Sequence, residues 1–220
     1  VEPAAPDHEP RGGFVEAGGL SVRMMKVWVR SILFAVLQYA LTVVFAALAV
    51  LCFPLRAQTR YRVVTLWNRI IIKLAQWVCG IRYEVRGREN IPQHPVVVMS
   101  KHQSAWETIA LPVLFSPMSI VLKRELLWIP FFGWGLGMIS PIAINRSAGR
   151  DALRQIVAQG KARMAQGFWV LIFPEGTRVA PGETGRYGIG GAWLAAHTRT
   201  PVLPVALNAG EVWPKNSFLK

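Results

Sequence analysis

The chain is short of acid and nearly free of cysteine. Across residues 17–83 there are nine Lys or Arg and no Asp or Glu at all. Two cysteines, Cys52 and Cys79, are too few for a disulfide framework and lack metal-ligand spacing. Both lie in apolar runs, where they read as reduced, packed thiols. No G-x-S-x-G elbow, P-loop or H-E-x-x-H stretch occurs, so the usual signatures of a serine hydrolase, a nucleotide hydrolase and a zinc protease are missing. The glycines within 125–138 do not fall into G-x-G-x-x-G, so a dinucleotide fingerprint is missing too. There is no internal repeat and no low-complexity tract. One further scarcity is local: residues 31–55 hold no charged side chain across 25 positions.

What is present is apolar mass and positive charge. At 220 residues, the chain can bury one full core. Hydrophobic residues make up 52%, and 25 Lys and Arg against 12 Asp and Glu leave a net charge of +13. Such an excess suits nucleic acid, anionic lipid or a phosphorylated substrate. Nucleic acid fits least well, because the bases are scattered among apolar runs and no zinc-finger or RNP-like pattern appears.

Residues 1–22 read as a flexible tail rich in Pro, Gly, Ala and acids. The uncharged run 31–55 exceeds the ~20 residues that cross a bilayer core. Arg23, Lys26 and Arg30 flank it on one side, and Arg56, Arg60 and Arg62 on the other. Cations at both ends give the positive-inside rule no direction. Residues 61–78 form a second helical segment with Trp67, Ile70, Ile71, Leu74 and Trp77 on one face. Together these predict an N-terminal two-helix membrane-docking motif over 23–80. A single span and a cleaved signal peptide are the alternatives, but the run continues past the small residues at 47–49 and its leading tail is acidic.

After Gly80, short apolar runs alternate with helical stretches. Strands are expected at 83–86, 96–99, 119–122, 141–144, 169–173 and 202–207, and helices near 104–115, 149–166 and 189–199. This alternation predicts an α/β fold, a largely parallel sheet flanked by helices, over 81–220. Ligands of such sheets sit beyond the carboxyl ends of the strands. There the polar clusters fall: His102 after one strand, Lys123 after another, Asn145 and Arg146 after a third, and Pro174-Glu175-Gly176-Thr177-Arg178 after a fourth.

The stretch KHQSAWE (101–107) pairs an imidazole with a carboxylate five residues on. Inside one regular helix they would point about 140° apart. The pair can meet only if His102 precedes the helix and Glu107 lies in its first turn. Ser104 then serves as N-cap and Glu107 as the returning residue of a capping box. Two readings stand side by side: Glu107 caps the helix, or it orients a general base whose proton transfer is worth typically 10²–10⁴ in rate. In FPEGTR (173–178), a sharp turn offers close backbone approach and donors. Arg178 with Arg146 and Lys123 would make a phosphate clamp, although a lone arginine is more often a solvated charge. ELLWIPFFGWGLGM (125–138) reads equally as ordinary core or as the lining of an acyl chain.

These blocks resemble the glycerolipid acyltransferase family. KHQSAWE is similar to the family's His-x4-Asp block, with Glu107 in place of the usual aspartate. ISPIAINR (139–146) resembles its second block, FPEGTR its third almost letter for letter, and TPVLPVAL (200–207) its fourth, in matching order over roughly 80–210. Within the family, the 1-acyl-sn-glycerol-3-phosphate acyltransferases look most similar. The resemblance implies that His102 takes the proton of the sn-2 hydroxyl of lysophosphatidate, whose oxygen attacks the thioester of acyl-carrier protein or coenzyme A, giving phosphatidate. It implies that Glu107 orients His102, that Glu175, Gly176 and Thr177 help hold the glycerol phosphate, and that Lys123, Arg146 and Arg178 bind its charge. Neither a cofactor nor a metal is expected. The expected setting is the cytoplasmic side of the inner membrane, against anionic lipid. The family pattern also implies a further strand or helix after the fourth block, so the acyltransferase domain is expected to be incomplete at Lys220. Rival readings are an acyltransferase for another lyso-lipid, such as a lyso-ornithine lipid, a non-catalytic lipid-binding membrane protein, and a hydrolase.

Overall fold

The computed structural model describes residues 16–220. Most of the expected tail therefore lies outside the described residues, and its last part belongs to the first helix, α1 (Glu16–Leu51). At 1.5 Å per residue, this 36-residue helix is about 54 Å long. Its stretch Val22–Leu51 is long and apolar enough to cross a membrane. Ser31, Phe34, Ala46 and Ala49 are buried on one stripe, while Val29, Ile32, Leu33, Val36, Leu37 and Val44 stand exposed. A water-soluble helix shows its polar face outward; this one shows apolar side chains on every other face.

The second expected helix is helical but broken. It runs as α2 (Ala57–Val64), α3 (Leu66–Leu74) and a π-turn, Ala75–Cys79. The break falls at Thr65, whose hydroxyl bonds back to the Tyr61 carbonyl at 2.7 Å. The π-turn then carries Trp77 off the expected stripe, leaving it 77% exposed, while Ile71, Ile72 and Ala75 take the buried positions. Cys52 and Cys79 are free.

Beyond Gly80 the sheet is wholly parallel, in the order β3-β2-β4-β1-β5. The strands are β1 (Val97–Ser100), β2 (Met118–Lys123), β3 (Ile142–Ile144), β4 (Trp169–Ile172) and β5 (Val202–Val205). The strand expected at 83–86 does not form. Arg82, Tyr83, Glu84 and Arg86 are exposed, Arg86 pairs with its own neighbour Glu84, and no strand edge lies alongside to supply ladder bonds. Alternation there reflected a chain crossing the surface.

Helices cover both faces, as parallel sheets require. On one face α6 (Arg150–Ala165) and α7 (Gly190–Thr198) meet Val97, Val121, Ile142, Val170 and Ile172. On the other, α2 and α4 (Trp106–Leu114) meet Val96, Val98, Ile120, Trp169 and Leu171. The alternation within β4 shows how each strand serves two cores. The N-terminal helices are tied to this body by polar bonds: Tyr61 Oη donates to the Pro112 carbonyl at 2.8 Å, and Asn68 Nδ2 to the Ile109 carbonyl at 2.8 Å. Arg60 Nε donates to the Met138 carbonyl at 2.7 Å, at the end of α5 (Phe132–Met138).

The glycine-rich stretch before β3 has one glycine that the backbone demands. A Cβ at Gly133 would collide with the Leu127 carbonyl and lie 2.8 Å from the Leu126 carbonyl oxygen, whereas Gly135 and Gly137 face open space. Gly133→Ala is expected to cost about 2 kcal/mol, the usual scale of overpacking, and Gly137→Ala almost nothing. Thermal unfolding of the two variants checks this contrast.

Candidate functional site

His102 follows β1 by two residues, before α4 begins. Its ring is fixed on two sides. Nδ1 lies 2.8 Å from Glu107 Oε1, and the ring stacks on Phe173 with centroids 4.0 Å apart and planes 19° apart. A carboxylate oxygen can only accept, so Nδ1 carries the proton and Nε2 is left with its lone pair.

The contacts expected for the two readings of Glu107 occur together, although the N-cap position falls at Ala105 and not at Ser104. Oε1 also accepts the N–H of Gln103 at 2.7 Å and of Ser104 at 2.7 Å, while Ser104 Oγ accepts the Trp106 N–H at 3.0 Å. Glu107 therefore closes the helix start and orients the imidazole with the same atom, from a fully buried position. Its other oxygen, Oε2, is buried and has no hydrogen-bond partner among the described residues.

Strand order decides which of the other expected residues come near. β4 lies beside β1, so the turn at 173–178 lands next to His102. Glu175 is inside it, with its side chain wholly buried: Oε1 meets Lys101 Nζ at 2.6 Å, and Oε2 accepts the His102 N–H at 3.1 Å. Burial alone would push its pKa up. The Lys101 ammonium and the N–H groups of His102 and Gly185 outweigh burial and hold the carboxyl below the usual glutamate range. Gly176 adopts φ +67°, and its carbonyl accepts from Arg146 Nη1. Arg146 thus reaches back from the edge strand β3 to the turn after β4. Thr177 is exposed. Arg178 is half-buried, and its carbonyl accepts from Lys215 Nζ at 3.0 Å. Lys123, at the end of β2, is exposed and makes no ion pair among the described residues. The clamp residues therefore share one end of the sheet, but only Arg146 is held against the turn.

A cavity of about 320 Å³ opens at His102, Arg146 and Phe173. It runs between the sheet and the N-terminal helices, past Trp67, Phe45 and Ala46, to Phe131, Phe132 and Leu136. The stretch 125–138 is both lining and exterior, for Phe132 faces the cavity while Trp128 is 73% exposed. Sequence reasoning missed Lys101, Phe173 and the α1 contribution to the cavity. Lys101 and Phe173 each stand one residue from a residue that was singled out, but nothing in the sequence pairs 101 with 175.

An imidazole oriented by a buried carboxylate, with a free Nε2 at the mouth of an apolar cavity, can accept a proton from a group held there. The comparisons narrow the class. The acyltransferase family model matches residues 82–208. A 1-acyl-sn-glycerol-3-phosphate acyltransferase of Pseudomonas aeruginosa is 50% identical over 194 residues, covering 87% of this chain and 76% of the relative. One of Borreliella burgdorferi is 36% identical over 151 residues, covering 67% of this chain and 60% of that protein. The crystal structure of the 1-acyl-sn-glycerophosphate acyltransferase PlsC from Thermotoga maritima shares the fold, with a TM-score of 0.72 over 90% of this chain and 80% of that one, at 20% identity. This chain belongs to the acyltransferase family and is an enzyme.

Because Glu107 has a structural duty that His102 lacks, their alanine variants should separate. Glu107→Ala strands two buried N–H groups and is expected to lose about 2 kcal/mol or more. His102→Ala keeps its backbone bonds and should stay within about 1 kcal/mol of the parent. Denaturant unfolding of both variants reads the difference.

Proposed function

We propose that this chain transfers an acyl group from a thioester, acyl-carrier protein or coenzyme A, to the sn-2 hydroxyl of 1-acyl-glycerol-3-phosphate, giving phosphatidate. The observation that carries this reading is the His102–Glu107 pair, 2.8 Å apart, opening onto the same apolar cavity as Arg146. Nε2 of His102 accepts the hydroxyl proton as the oxygen attacks the thioester carbonyl. Glu107 stabilises the imidazolium that forms. The tetrahedral centre collapses, the C–S bond breaks, and the leaving thiolate takes the proton back. No covalent acyl-enzyme is formed. Arg146 binds the phosphate with Lys123 and Arg178, and Gly176 and Thr177 shape the turn beside it.

The acceptor is a lipid, and the site stands where a lipid can reach it. Burying a methylene is worth about 0.8 kcal/mol, so drawing a long chain into water is costly. Residues 23–80 act as the membrane-docking part, with α1 lying in or through the cytoplasmic leaflet and its exposed apolar faces in lipid. Trp128, Ile129 and Trp134, exposed on the segment packed beside α1, extend that surface. The exposed Arg23, Lys26, Arg30 and Arg56 suit anionic headgroups. Residues 81–220 carry the chemistry.

The purified chain, offered lysophosphatidate and labelled acyl thioester, should form phosphatidate. His102→Ala should lower the rate about 10²- to 10⁴-fold while still binding vesicles. Preference for an acceptor without phosphate would overturn the substrate assignment. Retained transfer by His102→Ala, or release of free fatty acid without acceptor, would overturn the mechanism.

Cavity length should set chain preference. Gly135 lines the cavity and a Cβ there meets nothing within 4 Å. Gly135→Leu should therefore fold and shift the preferred acyl chain to shorter lengths, read from product composition with mixed donors.

A further inference from the structure

The turn after β4 contains a buried carboxylate whose bonds all run inward to the protein. Glu175 Oε1 meets Lys101 Nζ at 2.6 Å and accepts the Gly185 N–H at 3.1 Å, while Oε2 accepts the His102 N–H at 3.1 Å. Its side chain is wholly buried. Lys101 Nζ makes a second bond, to the Glu183 carbonyl at 2.6 Å. The His102 carbonyl accepts the Val179 N–H at 2.8 Å, and the Pro174 carbonyl accepts the Gly188 N–H at 2.7 Å. Segment 174–188 therefore folds back over residues 101–102 and holds both backbone groups of His102. The ring is held separately, by Glu107 and Phe173.

We propose that Lys101 and Glu175 form a charge-balanced latch that positions His102 through its backbone, so that Glu175 serves the reaction as a positioning residue and not as a ligand of the acceptor. The inference rests on His102 being the general base. The balance has a physical reason. Burying a carboxylate costs less when a cation is buried against it, and Lys101 is the cation that touches this one. The pair is charge-balanced and lies against the backbone of His102. Charged groups near His102 come from four elements: Glu107 of α4 at the ring, Glu175 of the turn after β4 at the backbone N–H, Lys101 of the end of β1 on Glu175, and Arg146 from the end of β3 in the same cavity. Removing Lys101 leaves a net negative charge that favours the protonated, inactive imidazolium. Removing the charge of Glu175 leaves a net positive one with the opposite effect.

The test uses the full chain in mixed micelles, with Lys101→Met, Glu175→Gln, the double variant and Lys101→Arg. For each, kcat, acceptor KM and the pH profile of kcat/KM are measured. Both single variants should lower kcat about tenfold to a hundredfold through misplacement of His102, with acceptor KM nearly unchanged. The acid limb should move a few tenths of a unit to higher pH in Lys101→Met and to lower pH in Glu175→Gln. It should return to the parent position in the double variant, and Lys101→Arg should restore most of kcat. A large rise in acceptor KM for Glu175→Gln with an unmoved limb would overturn the proposal and make Glu175 a substrate ligand. Loss of kcat with unmoved limbs in both single variants would reduce the pair to a fold-holding contact and also overturn it. If Lys101→Met does not fold, Glu175→Gln and the double variant carry the same comparison. Failure of the reading beneath is seen apart from these, as full activity in His102→Ala.

Discussion

The geometry around His102 depends on how many donors one oxygen can satisfy. Glu107 Oε1 accepts from the imidazole Nδ1 and from the N–H groups of Gln103 and Ser104. Two of those bonds are the ordinary duty of a residue at the start of a helix, where backbone donors have no intrahelical partner. The third fixes the imidazole of His102 with the same atom. A charged acceptor already committed to two amides cannot swing away from the ring, so the tautomer and the ring plane are set before any substrate arrives. Stacking on Phe173 closes the remaining rotation. The glutamate side chain is long enough to reach the ring from the first turn of α4, with the contact at 2.8 Å.

Around that centre the parallel sheet acts as a sorting device. Every strand ends on the same side, and the order β3-β2-β4-β1-β5 places the turn at 173–178 against the histidine while Lys123 and Arg146 start one and two strands further out. Arg146 overcomes the distance with a long side chain fastened to the Gly176 carbonyl. The left-handed backbone at Gly176 is what allows that approach. The carboxylate of the same turn is directed inward to Lys101 and His102, while Thr177 of the same FPEGTR segment is exposed.

The apolar cavity joins the chemistry to the N-terminal helices. Gln38, Thr42, Phe45 and Ala46 of α1 and Trp67 and Asn68 of α3 line it together with sheet residues. Tyr61, Asn68 and Arg60 bind these helices to carbonyls of α4 and α5. The N-terminal helices and the α/β body therefore share one wall of the cavity that opens at His102.

The sequence by itself determined the strands at β1, β2, β4 and β5, because continuous apolar runs between turn residues have few other uses in a chain of this length. It also determined the uncharged stretch of the first helix from residue 31, the helices near α4, α6 and α7, and the candidates at the strand ends. It failed at 83–86, where alternation without a neighbouring edge makes no strand, and at 61–78, where a break at Thr65 and a π-turn moved Trp77 to the surface. It could not choose between capping and catalysis for Glu107, since a spacing says nothing of how many bonds one atom will make. Only the tertiary structure brought Lys101 to Glu175 across 74 residues and Arg146 to Gly176 across 30. Such pairings follow from strand order, and strand order is a property of the folded sheet that no local run of residues encodes.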